Sequence, residues 1–177
     1  LNKFGQLNTI CETFGEEILT ESPSSVVAKA RRSAARVGAR ITSAAKTVHH
    51  GFVGGLLEHT LSVTKLCDFY CKSYPLLNRD LLLSAAICHD IGKTKELSLF
   101  PENDYTDEGQ FLGHIIIGCE MVGEKIRNID GFPIVLANEL KHCILSHHGE
   151  LEYGSPKKPA LAEALALSFA DNFDAKM

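Results

Sequence analysis

Nearly every segment of this chain repeats its apolar residues with a period of about 3.6, and no pair of alternating segments offers a sheet. That pattern confines the chain to an all-α fold. The spacing predicts helices over about residues 3–19, 24–37, 56–73, 79–91, 108–128, 133–147 and 159–176. Turn signals separate them: Ser22-Pro23, Gly54-Gly55, Pro75, Pro101, Gly131 with Pro133, and Gly149 through Pro159. Asn78 is placed to cap the fourth of these helices. With 177 residues, 45% of them apolar, the helices can close around one core as a compact bundle rather than a coiled coil.

A net charge of −4 excludes a generally basic nucleic-acid binder but leaves room for a local patch. Such a patch lies between Val26 and Val48, which hold six basic residues and no acid. Lys29, Arg32, Arg36 and Arg40 fall at helical spacing and line one face. A solvated surface is the ordinary outcome for such a stripe; a track for phosphates is the sharper one. No apolar run is long enough to span a bilayer, and the N-terminus lacks a signal-peptide pattern. The six cysteines are scattered, mostly along apolar stripes, with no zinc-finger pairing. A reduced, cytoplasmic protein is the expectation. The chain starts at Leu1 and stops within a helical pattern at "DNFDAKM", which is compatible with a piece of a longer protein.

One stretch resists the core reading. "SAAICHDIGKTKELS", Ser84 to Ser98, begins as an apolar helix and ends on His89 and Asp90, which are costly to bury without partners. Leu82, Ala85, Ala86 and His89 share a stripe. Leu56, His59, Val63, Leu66 and Tyr70 share another, as do Leu136, Leu140, Cys143, Ile144 and His147. His114 sits in "FLGHIIIG", and Asp171 shares a face with Leu167 and Ala175. Alone, each has a bland explanation, a hydrogen-bonded core histidine or a solvated aspartate. Together, five helices turn an imidazole or a carboxylate inward, and burying them unconnected would be expensive. A metal centre satisfies all of them at once. Imidazole and carboxylate donors suit Mn, Fe, Co, Ni or Zn better than Mg or Ca.

Gly92 lets the chain turn after Asp90, and Lys93 then projects near the metal, where a cation suits an anionic substrate such as a phosphate ester. The plainer role for Lys93 is a positive charge at a helix C-terminus. His148 beside His147 is a candidate ligand or substrate contact. His50, next to His49 before the Gly-rich turn, either reaches the site or belongs to a loop. His142 reads as a surface residue. Nucleophile schemes built on Ser/His/Asp or Cys/His are weak, since Cys88 adjoins the site only in sequence.

The order His59, His89-Asp90, Asp171 resembles the HD-domain superfamily of metal-dependent phosphohydrolases. The strings "HHGFVGGLLEHTLSV", "LLLSAAICHDIGKTKELS", "YTDEGQFLGHIIIG", "LSHHGELEYGSP" and "LSFADNFDAKM" look like the HD domain of the YhaM-type 3′→5′ exoribonucleases, from about His49 to Met177. The resemblance implies His59, His89, Asp90 and Asp171 as core ligands. It implies His114 and His147 or His148 as ligands of a second ion, Asp90 as a bridge between the two, and Lys93 as a phosphate contact. Gly55 stands where some three-metal relatives carry a glutamate, so two ions are expected rather than three. That exoribonuclease family usually has an N-terminal OB-type RNA-binding domain, whereas only helical patterns precede His49 here.

The expectation is therefore an all-α HD-domain phosphohydrolase, with an N-terminal helical extension over 1–48 carrying the basic stripe and the HD domain over 49–177. Asp90 and Lys93 are its candidate catalytic residues. A metal-activated water would cleave phosphodiesters in single-stranded RNA or short oligonucleotides from the 3′ end. Alternatives are a nucleotide or cyclic (di)nucleotide phosphohydrolase, and a non-catalytic metal- or nucleotide-binding module. No membrane partner is expected, and an oligomer is compatible with the sequence.

Overall fold

The computed structural model describes residues 55–98, 102 and 104–177. The two helices expected before Gly54, the basic stripe of Lys29, Arg32, Arg36 and Arg40, and His50 lie outside the described residues. Within them the chain forms α1 (Gly55–Ser73), α2 (Arg79–Cys88), a one-turn α3 (Lys93–Glu96), α4 (Asp107–Arg127), α5 (Ile134–Leu145) and α6 (Ala162–Asp174), with a 3₁₀ turn at Leu151–Tyr153. Among the described residues the only extended pairing is an isolated antiparallel bridge between Leu97 and Tyr105. The all-α expectation holds, and no helix among the described residues is long and apolar enough to cross a membrane.

Two of the helices, α2 and α4, begin at a residue whose side chain caps them. Asn78 accepts from the Leu81 N–H at the start of α2, as its sequence position predicts. Thr106 does the same for Gly109 at the start of α4 while its hydroxyl donates back to the Lys95 carbonyl, which ties α4 to α3. Arg79 reaches Asp68 through Nε and Nη2 at 2.9 and 2.8 Å and so clamps α2 to α1.

The core runs through the middle of the bundle. Val63 and Cys67 of α1, Leu82, Ala85 and Ala86 of α2, Val122 of α4, Leu140 and Ile144 of α5, and Ala164, Leu167 and Ala170 of α6 are all inaccessible to solvent. The alanines at these contacts let helix axes approach closely. Each buried leucine or isoleucine contributes on the order of 1.5–3 kcal/mol of transfer free energy. α1 packs on α2 and α6, and α5 closes the bundle against α2, α4 and α6.

Several helices end earlier than the periodicity predicts, α6 at Asp174 rather than 176 among them, and two of them share a cause. α2 stops at Cys88 rather than 91, and α5 at Leu145 rather than 147. The cause is the same at both ends. His89 Nδ1 donates to the Ala86 carbonyl at 2.8 Å, and His147 Nδ1 donates to the Ile144 carbonyl at 2.7 Å. Each ring satisfies a carbonyl orphaned at a helix C-terminus, and each residue follows the helix rather than lying within it. Glycines then bring α3 against α4. A Cβ on Gly92 would run into the His114 carbonyl oxygen and stand 2.7 Å from the Gly118 amide nitrogen, and one on Gly109 would collide with the Glu96 backbone.

Candidate metal centre

The five helical segments singled out by their inward polar residues do converge. His59 comes from the first turns of α1, His89 and Asp90 from the turn after α2, His114 from α4, His147 and His148 from the turn after α5, and Asp171 from the last turn of α6. His59, His89, Asp90 and His147 are buried, and Asp171 nearly so. In α1 and α6 the spacing that keeps the helix amphipathic also aims His59 and Asp171 inward, whereas His89, Asp90, His147 and His148 are presented by the turns after α2 and α5.

His114 reaches the cluster by an unexpected route. α4 is broken at Gly113, whose φ of 71° and ψ of 158° are open to glycine and strained for other residues. His114 therefore opens the second half of the helix rather than sitting inside it. Its backbone N–H, freed by the break, donates to Glu96 Oε1 at 2.9 Å.

The donor atoms fall into two groups. His59 Nε2, His89 Nε2 and a carboxylate oxygen of Asp171 form one; His114, His147 and His148 form the other. In the first, the two Nε2 atoms are 3.2 Å apart, and Asp171 Oδ1 lies 3.0 Å from His59 Nε2 and 3.7 Å from His89 Nε2. In the second, His114 Nε2 and His148 Nε2 are 3.4 Å apart. Asp90 stands between them. Its Oδ2 is 3.5 Å from the Nε2 atoms of both His59 and His89, and its Oδ1 is 3.6 Å from those of both His114 and His147.

The outer faces of the rings decide their tautomers. Nδ1 of His89, His147 and His148 bonds to the carbonyls of Ala86, Ile144 and Tyr153, which can only accept. Nδ1 of His59 and His114 bonds to the carboxylates of Asp174 and Glu96. Each ring thus carries its proton on Nδ1, and when neutral it turns an Nε2 lone pair inward. Five such lone pairs meet two carboxylates, and among the polar contacts of Asp90 and Asp171 the one obligate donor is Lys93. Asp90 Oδ1 and His147 Nε2 are buried with no hydrogen-bond partner. An unbalanced excess of buried acceptors is costly, and divalent cations remove the imbalance. The donors present therefore fit a metal, and nitrogen with carboxylate oxygen suits a first-row transition ion.

Protonation states follow from the surroundings. Burial opposes ionisation of Asp90, but the Lys93 ammonium and the neighbouring imidazoles hold its carboxyl well below the usual range. Asp171 is likewise held down against burial, by hydrogen bonds that His59 and His89 donate when their rings are protonated. Burial lowers His147, and burial with the adjacent His147 and His114 brings His148 down to about 4. Burial pulls His59 down too, but its hydrogen bond to Asp171 and the Asp90 charge outweigh that and raise it.

Lys93 Nζ donates to Asp90 Oδ2 at 2.7 Å, so the lysine stands beside the cluster as its sequence position suggests. His142, read as a surface residue, is half-buried at the surface and accepts from the Ala160 N–H at 2.8 Å, tying the end of α5 to the approach to α6. Cys88 is buried in the hydrophobic core. Glu96 and Asp174 escaped the sequence reading. Their signals were present: Asp174 lies one turn beyond Asp171, and Glu96 lies one turn beyond Lys93.

Comparison with known proteins gives the chain a family. The sequence matches the HD domain family over residues 56–176. It is 46% identical over 136 residues to the 3′-5′ exoribonuclease YhaM of Bacillus velezensis, covering 76% of this chain and 42% of that one. It is 47% identical over 139 residues to the protein of the same name from a Geobacillus species, covering 76% and 41%. For that of Bacillus subtilis the identity is 45% over 136 residues, covering 76% and 42%. The chain thus spans about two fifths of the length of these relatives. No solved structure matches it. With a family match running from the first turn of α1 to the residue before the C-terminal Met177, and with its histidines and aspartates gathered at one centre, the chain belongs to the HD domain family.

Proposed function

We propose that this chain is the hydrolytic domain of a metal-dependent phosphodiesterase that removes nucleotides from the 3′ end of single-stranded RNA or short oligonucleotides. The observation that carries the reading is Asp90, whose two oxygens face two separate groups of imidazoles. One ion would be held by His59, His89, Asp90 and Asp171, and a second by Asp90, His114, His147 and His148. Mn, Fe, Co, Ni and Zn fit these donors better than Mg does. Such ions, when bound, supply Lewis acidity for the phosphoryl oxygens and acidify water enough to attack near neutral pH.

The chain's own residues arrange the reaction. Asp90 and Asp171 supply the negative charge that balances the cations, and the backed imidazoles keep their donor atoms fixed. Lys93 is anchored on Asp90 Oδ2 with its side chain 16% exposed, so it is positioned to hold a non-bridging phosphate oxygen at the edge of the site. In the reaction water oxygen bonds to phosphorus, the bond from phosphorus to the leaving ester oxygen breaks, and that oxygen takes up a proton. The names of the similar proteins support an RNA substrate. We assign 49–177 to the HD domain and 1–48 to an extension whose basic stripe would guide a polyanion.

The test is hydrolysis of a 5′-labelled single-stranded RNA by the purified, manganese-loaded chain. Stepwise shortening that stops when the RNA ends in a 3′-phosphate supports the reading. Hydrolysis of nucleotides or cyclic dinucleotides but not of RNA would redirect the substrate, and two bound ions with no turnover at all would favour a binding module.

A further inference from the structure

Two carboxylates stand behind the imidazoles rather than among the converging donor atoms. Asp174 Oδ2 accepts from His59 Nδ1 at 2.7 Å, and Glu96 Oε1 accepts from His114 Nδ1 at 3.1 Å. The other three rings rest on backbone carbonyls. Each group of donors therefore contains one imidazole with a charged backing, and the two backings come from different elements, the end of α6 and the end of α3.

We infer that Asp174 and Glu96 are positioning residues that each set the affinity of one ion site: Asp174 that of His59, His89 and Asp171, and Glu96 that of His114, His147 and His148. The inference rests on the two-ion reading above. A carboxylate on Nδ1–H fixes the tautomer, stops the ring from turning and makes Nε2 a stronger donor to a metal. A carbonyl does the first two but carries no full charge. Glu96 does more. The break at Gly113 frees the His114 N–H, and a single oxygen of Glu96 accepts both that N–H and the ring, fixing backbone and side chain together. Glu96 can stand there because Gly109 has no side chain to hold α3 away from α4.

The experiment is calorimetric titration of Mn²⁺ into the metal-stripped full chain, in parallel with thermal melts. Wild type is compared with Glu96→Gln, Glu96→Ala, Asp174→Asn and Asp174→Ala. His114→Ala and Asp171→Ala identify which equivalent belongs to which site. Each Glu96 variant should weaken the His114 site by roughly 10–100-fold and leave the other unchanged, and each Asp174 variant should do the converse. Gln and Asn keep an acceptor oxygen, so they carry the test should either Ala variant fail to fold. In a His114→Ala background, Glu96→Gln should change nothing further. Unchanged titrations, or a parallel loss at both sites that tracks the melting temperature, would overturn the inference while leaving the two-ion reading intact. A wild type that takes up fewer than two equivalents would overturn that reading, and the inference with it.

Discussion

Lys93 Nζ donates to Asp90 Oδ2 at 2.7 Å, on the oxygen that faces His59 and His89, while Asp90 Oδ1, facing His114 and His147, receives no hydrogen bond. The asymmetry separates two roles that adjoin in sequence. Asp90 faces both donor groups and, on the two-ion proposal, would serve both, whereas Lys93 touches the cluster from its edge. Replacing Asp90 with Ala should abolish uptake of both ions together, and stability should fall in the metal-loaded state because metal binding contributes to folding. Replacing Lys93 with Ala should leave metal content near that of wild type and lower turnover by roughly tenfold to a thousandfold. Metal analysis alongside a manganese-supported assay on RNA decides it. Full activity of Lys93→Ala would remove the lysine from the mechanism.

The glycines between α3 and α4 make a second prediction, one of stability. A Cβ on Gly92 would meet backbone atoms of His114 and Gly118, which cannot step aside without moving the helix that carries His114. Gly92→Ala should cost at least about 1–3 kcal/mol, as overpacking of a tight contact does, and should lower metal affinity as well. At Gly123, also in α4, the atoms nearest an added Cβ are the flexible ends of Lys141 and Arg127. Gly123→Ala should be neutral or stabilising by up to about 1 kcal/mol through helix propensity. Urea melts of the two variants give the contrast, and equal destabilisation by both would contradict it.

These contacts also mark where the sequence stops being legible. The bundle could be read from periodicity, and the inward phase of His59 and Asp171 from the same stripes, because a helix fixes direction from spacing alone, while His89 and His147 extend stripes whose helices stop just before them. What periodicity could not show was the pairing between elements. Helix ends set by His89 and His147 rings, the break at Gly113, and the backing of His59 by Asp174 and of His114 by Glu96 all depend on groups distant in the chain or on a local choice of φ. The one-turn α3 is too short to leave a period at all. The hydrogen bond accepted by His142 was hidden too, since its partner, the Ala160 N–H, lies in a different segment.

That hydrogen bond gives a pH dependence with a defined sign. Burial, assisted by Lys157, lowers the pKa of His142 from its ordinary value of 6.5. The folded state therefore holds fewer protons on this ring than the unfolded state does. Its contribution to stability is present above about pH 6.5 and is lost as pH falls through the depressed folded pKa. Protonation also removes the lone pair that accepts from Ala160. The melting temperature of wild type should thus fall more between pH 7.5 and pH 5 than that of His142→Gln. The difference between the two proteins cancels the titration of the other histidines. Parallel curves would show that the bond contributes nothing.

The last prediction concerns the basic stripe, which lies outside the described residues and is testable by its chemistry alone. Lys29, Arg32, Arg36 and Arg40 recur at helical spacing in a stretch without acids, on a chain whose net charge is −4. If this stripe guides a polyanionic substrate, affinity for single-stranded RNA should fall steeply with salt, with each neutralised phosphate contributing about 0.7 to the slope of log K against log salt. Arg32→Glu with Arg36→Glu should weaken binding and flatten that slope, while hydrolysis of a small generic phosphodiester at the Asp90 centre stays unchanged, because such a substrate needs no track. Binding measured by fluorescence anisotropy across a salt series, with the small-substrate assay as control, distinguishes guidance from chemistry. An unaltered slope and affinity would make the stripe an ordinary solvated face.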